Sequence, residues 1–189
     1  MRWLLRAGRF PEAMLWAVTA GLGYALLSGR TQLFPSIAGL VEVPLACVAS
    51  VGIVAAVARF LDSSAATFAV TASRRVALLP VLLLASVVAL ATLLAWVAAG
   101  TTAAELCARD AVGLGGLALV GSLAGPGSVM GVPLGYLLIS LLFGTDHRGE
   151  PRAWAWLLEM TPRPGSWIIP VLVCAVGLII VTRETGSRR

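Results

Sequence analysis

The sequence predicts an all-α, polytopic membrane protein with six transmembrane helices in one domain spanning 1–189. Composition is the first observation: 59% of the 189 residues are hydrophobic and 12% are charged, whereas soluble domains average about one-half and about one-quarter. Spacing is the second, because short polar or Gly-Pro segments divide the long apolar runs. One crossing needs about 20 apolar residues, so six crossings occupy about two-thirds of the chain.

Residues 1–12 place Arg2, Arg6 and Arg9 among apolar residues. That alternation predicts an N-terminal interfacial helix, charged on one side and apolar on the other, which Pro11 would break before the first crossing. A basic start before an apolar run also suits a secretory signal peptide. Residues 25–29, however, form a poor cleavage site, and the pattern of crossings continues beyond them.

The transmembrane helices are predicted at 13–28, 36–58, 76–99, 111–125, 128–143 and 167–182. Residues 101–110 are predicted as a short polar loop, and Gly125-Pro126-Gly127 as the turn between two short helices. The stretch 153–163 carries Trp154 and Trp156, and Trp favours the headgroup region. It is therefore predicted as a short extracellular interfacial or re-entrant helix before the last crossing.

Arginine sets the predicted orientation, since cytoplasmic segments are enriched in basic residues. With the N-terminus inside, nine of the 14 arginines lie on the inner side, and the five outer ones are accompanied by acidic residues. Both termini are then cytoplasmic, and the chain is a multi-pass protein of the cell (inner or plasma) membrane. Basic residues that are all Arg, with abundant Ala, Val, Leu and Gly, also suit a high-GC bacterial genome.

Glycines at four-residue spacing predict close contacts between helices in lipid. Gly121 and Gly125 form one such pair, and Gly127, Gly131 and Gly135 form a run. Membrane helices are also rich in Gly for no specific reason, so a simple compositional bias stays open as the alternative.

No group of residues in this sequence has the spacing expected of a catalytic site or a metal site. The chain has no Lys, which excludes a Walker A phosphate loop and Lys Schiff-base chemistry. His147 is the single His, and Cys47, Cys107 and Cys174 form no ligand cluster. Dispersed arginines disfavour a nucleic-acid partner. We predict no enzyme, no metal site and no cofactor held by this chain.

Glu42 lies inside the predicted second crossing, and an intramembrane carboxylate is a functional candidate by default. It could contact an ion or line a transport path. It lies only about 9 Å along a helix from Ser36, so a solvated or structural role is the competing interpretation.

The segment 59–75 is the long internal stretch that is too polar for lipid yet keeps a helical pattern. It contains Asp62, then Thr67-Phe68, then Ser73-Arg74-Arg75 before an apolar run. With six crossings, a basic start and a Trp-rich connector before the last helix, this order resembles the permease subunits of type-2 ABC exporters. In that family the connector after the second crossing is a coupling helix that docks into the ATPase. The distance from Thr67 to Ser73 is shorter than usual, and Ala69 stands where the family commonly has an acidic residue.

The resemblance implies that Asp62, Thr67, Phe68, Ser73, Arg74 and Arg75 bind a separate ABC-type ATPase. ATP and Mg²⁺ would be held by that partner, and a second permease copy or a related permease would complete the path in the bilayer. Apolar or amphipathic cargo would suit the largely uncharged crossings. A non-transporting assembly or immunity factor, or an ion-coupled carrier using Glu42, remain the alternatives.

Overall fold

The computed structural model describes residues 10–37, 39–68, 79–125 and 127–187. These ranges are mostly helical, as predicted, but not entirely so. The helices are α1 (Phe10–Leu27), α2 (Ala46–Phe68), α3 (Leu79–Ala99), α4 (Thr101–Gly121), α5 (Ser128–Phe143) and α6 (Ile168–Ser187). Of the predicted interfacial helix, residues 1–9 lie outside the described ranges. Pro11 is the second residue of α1, which is compatible with a helix because proline is tolerated in a first turn.

The first departure from the prediction is a β-hairpin where the start of the second crossing was expected. β1 (Thr31–Ser36) and β2 (Gly39–Pro44) pair antiparallel, with Thr31 opposite Pro44 and Ser36 opposite Gly39. Pro44 would remove a hydrogen bond from the interior of a helix and clash with it, and Gly39 adopts a φ of 120°. The all-helical prediction is therefore wrong over 36–44, and the helix begins at Ala46 instead.

The second departure is that 101–110 forms the first half of α4 rather than a loop. Ala103, Ala104, Cys107 and Ala111 are buried, whereas Glu105 is exposed. This spacing is that of an amphipathic helix. The polar residues that suggested a loop are divided between an exposed face and a buried ion pair.

Alanines let the first helices approach closely. Ala13, Ala17 and Ala20 of α1 are buried in one core cluster with Ala56 of α2 and with Ala91 and Ala95 of α3. A Cβ added at Gly21 would lie 2.8 Å from the carbonyl oxygen of Ala91. Small residues at such contacts let backbones pack tightly without a strong hydrophobic driving force.

Glycines make the contact between α4 and α6. A Cβ at Gly116 would lie 2.6 Å from the Cα of Cys174, and one at Gly177 would lie 2.8 Å from the carbonyl oxygen of Gly116. Since Gly116 lies opposite Cys174 and Leu119 lies opposite Gly177, the two helices run parallel. The closest backbone contacts between these helices therefore involve glycines other than those the sequence analysis singled out.

One end of the bundle is covered by residues 144–167, which we call the capping segment. It contains two short 3₁₀ turns, Trp156–Leu158 and Pro164–Trp167, rather than the helix predicted at 153–163. Trp156 is 3% exposed and stacks on Tyr136 of α5 with ring centroids 4.3 Å apart. Trp156 is thus buried against the bundle, and the β-hairpin joins the same end through a hydrogen bond from Ile37 N to Leu142 O of 3.1 Å.

Within the described residues, two helices are long and apolar enough to cross a membrane: 101–124, with 61% of an 18-residue apolar window buried, and 164–183, with 11% of such a window buried. The first of these helices is mostly buried, and the core helix of a soluble protein can have the same length and composition. The second presents Ile168, Val171, Leu172, Val176 and Ile179 as exposed apolar side chains.

Candidate functional site

The most polar buried region is a pair of adjacent residues on α4. The side chains of Arg109 and Asp110 are each 1% exposed. Arg109 donates from Nε and Nη2 to Oδ1 of Asp110 at 3.1 and 3.0 Å. The two opposite charges therefore compensate each other, which is the condition under which buried charges are tolerated.

Tyr24 brings α1 into this pair. Its hydroxyl donates to Oδ2 of Asp110 at 3.0 Å, across 86 residues of sequence. Tyr24 is itself 3% exposed. Both carboxylate oxygens of Asp110 are thus hydrogen-bonded, one to α1 and the other to its own neighbour on α4.

Arg109 also reaches the capping segment. Its Nη2 donates to the carbonyl oxygen of Glu159 at 3.2 Å, and its Nη1 lies 3.4 Å from Oγ of Ser166. Nη1 is also 3.6 Å from a carboxylate oxygen of Glu159, whose other oxygen lies 3.4 Å from Nε of Arg163. The guanidinium of Arg109 therefore links α4 to the capping segment at two residues, Glu159 and Ser166.

These six residues, Tyr24, Arg109, Asp110, Glu159, Arg163 and Ser166, are called the Arg109 network. The network was not predicted from the sequence, because Arg109 and Asp110 were predicted to lie in an outer loop. The amphipathic spacing of Ala103, Cys107 and Ala111 was the signal that could have placed both residues on a helix. The partners 50 to 86 residues away had no sequence signal.

Beside the network, a cleft of about 430 Å³ opens between β2 and the capping segment. Glu42 lines it and has an exposed side chain on β2. Glu42 is therefore not inside a transmembrane helix, and the prediction that placed it there is corrected. Glu159 and Arg163 also line the cleft. Because both belong to the Arg109 network, the cleft and the network are adjacent.

The predicted ATPase-binding residues fall partly within the described ranges. Asp62, Thr67 and Phe68 lie on the last turns of α2, which runs without a break from Ala46 to Phe68. Ser73, Arg74 and Arg75 lie outside the described residues. The predicted segment 59–75 thus begins as an extension of the second long helix rather than as a separate one.

The predicted glycine contacts divide into two groups. A side chain at Gly121 would meet the backbone of Ser128, so this glycine does allow a close approach between α4 and α5. The spaces beside Gly125, Gly127, Gly131 and Gly135 hold no atom within 4 Å of an added Cβ. Among the described residues, these four glycines therefore make no close contact between helices.

Metal-ligating side chains are dispersed over the described part of the chain, where no three His, Cys, Asp or Glu residues lie together. No protein-family model matches this chain, and no curated protein or solved structure matches it. Function is therefore inferred from the residues and contacts of the chain itself.

Proposed function

We propose that this chain is the transmembrane permease subunit of an ATP-driven exporter. A separate ABC-type ATPase would dock on 59–75, hold ATP and Mg²⁺, and supply the energy to move an apolar or amphipathic cargo. The proposal rests first on the surface of the bundle and then on the length of α2.

The outward faces of the helices support insertion in a bilayer. On α6, Ile168, Leu172, Val176 and Ile179 are 49% to 60% exposed and share one face by their spacing. Leu15 and Leu26 of α1 are 66% and 74% exposed. Soluble monomers rarely expose contiguous apolar patches beyond a few hundred Å², whereas lipid favours such a surface. Tyr24, Arg109 and Asp110, the members of the Arg109 network on α1 and α4, are buried inside the bundle, as intramembrane polar groups require.

The observation that carries the proposal is that α2 continues through the polar stretch 59–68. At a rise of 1.5 Å per residue, the apolar residues 46–58 extend about 20 Å, and the polar residues 59–68 continue the same helix for about 15 Å more. This polar end, which bears Asp62, Thr67 and Phe68, would lie at the cytoplasmic boundary of the bilayer and is a suitable surface for a cytoplasmic partner.

Two copies, or this chain with a related permease, would enclose the transport path. Closure of the ATPase around ATP would move the 59–75 connectors and favour one of two states of the permease. Such a partner shifts the equilibrium only by its differential affinity for the two states. The residues of this chain would provide binding and motion, and the ATPase would provide the chemistry.

Affinity purification from the native membrane tests the proposal. We expect an ABC-type ATPase to co-purify with the tagged chain and to be lost when Asp62, Arg74 and Arg75 are changed to Ala. ATPase binding that survives this triple change would contradict the assignment of the docking surface.

A matched control removes the same charges at the opposite end. Changing Asp146, Arg148 and Arg152 to Ala also removes one acid and two arginines, from the capping segment. We expect ATPase binding to be retained in this control. Loss in both variants would indicate a general effect of charge or folding rather than a docking surface.

The two alternatives give different results. A non-transporting assembly or immunity factor would hold its partner by the same surface, but cargo movement would not follow ATP hydrolysis in reconstituted vesicles. An ion-coupled carrier would transport without ATP and would stop in Glu42→Gln. The exposed position of Glu42 on β2 does not favour this carrier.

A further inference from the structure

The cleft beside the Arg109 network has the size of a small-molecule site and a lining that combines charged and apolar residues. Its volume of about 430 Å³ falls within the range of about 300–1,000 Å³ that is typical of such sites. Carboxylates of Glu42, Glu150 and Glu159 line it together with the guanidinium of Arg163. Apolar side chains complete the lining, among them Leu40, Leu158 and Met160.

The charge of this lining is unbalanced. Glu159 is matched by Arg109 at 3.6 Å and by Arg163 at 3.4 Å. Glu42 and Glu150 have exposed side chains, and within the described ranges neither forms an ion pair. The cleft therefore keeps two carboxylates that are available to a cation.

An unsatisfied hydroxyl lies in the same wall. Thr145 lines the cleft and is 4% exposed, and its Oγ1 has no hydrogen-bond partner among the residues described. A buried hydroxyl without a partner is unfavourable, so a ligand that donates a hydrogen bond there would be stabilised. An ammonium group has donors for the hydroxyl and for carboxylates.

We propose that this cleft binds an amphipathic organic cation. Its ammonium group would meet Glu42 and Glu150, with the hydroxyl of Thr145 reached by rotation of that side chain toward the cleft, and its apolar body would lie on the exposed side chains of Leu40 and Met160. An inorganic divalent cation would need several oxygen ligands around one point, and no group of three acidic, His or Cys residues lies together in the described part of the chain. A role of the cleft in cargo release rests on the proposed exporter function, because the capping segment is predicted on the extracellular side, whereas binding itself requires no ATPase.

Three ligands with one aromatic body and different charges test the proposal. Phenylethylamine, 2-phenylethanol and phenylacetate are titrated calorimetrically into the purified full-length chain in lipid nanodiscs. We expect saturable binding of the amine, and at least about tenfold weaker binding of the alcohol and the acid. Absence of saturable amine binding, or equal binding of amine and alcohol, would overturn the inference.

Variants locate the binding. Glu42→Gln and Glu150→Gln are each expected to weaken amine binding by roughly two- to fivefold, as loss of an exposed ion pair does. Thr145→Val should weaken it and Thr145→Ser should preserve it. Glu105→Gln is the matched control, because Glu105 is an exposed carboxylate outside the cleft lining.

Equal weakening by Glu105→Gln and Glu42→Gln would overturn the inference, since the amine would then respond to net charge alone. Amine binding that depends on Glu42 and Glu150 would support the site even if the chain recruits no ATPase. The exporter proposal and the cation site can therefore fail separately.

Discussion

Asp110→Asn removes the negative charge at the centre of the Arg109 network while keeping the shape of the side chain. Asp110 accepts two hydrogen bonds from Arg109 and one from Tyr24, all at 3.0–3.1 Å. Arg109 is 1% exposed and should remain buried after the change. Its remaining partners are then Glu159 and Ser166. The charge of the guanidinium is then poorly compensated.

The expected cost follows from that loss. Removing one partner of a buried ion pair destabilises a protein by about 3–5 kcal/mol. Tyr24→Phe removes a single hydrogen bond to a charged acceptor and should cost about 1.5–3 kcal/mol. Changing Arg109 to Met and Asp110 to Leu together removes both charges, so this pair of changes should cost less than Asp110→Asn alone.

Equilibrium unfolding of the purified protein in mild detergent, followed by Trp fluorescence, measures these free energies. Glu105→Gln is the control, because it removes an exposed carboxylate from the same helix and should change stability by less than about 0.5 kcal/mol. An Asp110→Asn variant as stable as this control would refute the account of the pair. A double variant as destabilised as the sum of its single changes would refute it too.

Two further predictions concern the glycine contacts and the loop at the cleft. Gly116→Ala should lower stability by about 1–3 kcal/mol, because its Cβ would lie 2.6 Å from backbone atoms of Cys174. Gly131→Ala should be neutral or stabilising, since no atom of the described residues lies within 4 Å of its added Cβ. Equal unfolding midpoints for the two variants would contradict this. Asp146 Oδ1 accepts from the N–H groups of Arg148 and Glu150 at 2.8 and 3.0 Å, and these bonds hold the pKa of Asp146 below its ordinary value. The lowered pKa means that this contribution is complete above the ordinary pKa and is lost as pH falls through the lowered one. Hydrogen-exchange protection of Arg148 and Glu150, corrected for intrinsic rates, should therefore be constant between about pH 5 and 8. It should be lower in Asp146→Ala throughout that range, and unchanged protection in that variant would sink the idea.

Local composition predicted the helices well where an apolar run was unbroken. α5 at Ser128–Phe143 follows from such a run between glycine and a polar loop. The hairpin was not predicted because the hydrophobicity of 36–44 favoured a transmembrane helix. The turn signals of Pro35, Gly39 and Pro44 were given less weight. Those residues carry the physical reason for a break, since proline and a glycine at positive φ fit a turn better than a helix.

The Arg109 network was harder to foresee. Amphipathic spacing could have placed Arg109 and Asp110 on a helix, but burial of both depends on partners from distant segments. Tyr24 lies in an apolar run of α1, and Glu159 lies in a polar connector. Only the packing of α1, α4 and the capping segment brings these groups within hydrogen-bond distance.

Site-specific crosslinking at Phe68 tests the central claim most directly. A benzophenone amino acid replaces Phe68 on the last turn of α2, or Met160 of the capping segment as the control, and the chain is irradiated in its native membrane. We predict an adduct with an ABC-type ATPase from position 68, with a yield that changes when a non-hydrolysable ATP analogue is added, and none from position 160. Adducts with the ATPase from position 160, or no ATPase adduct from position 68, would contradict the account.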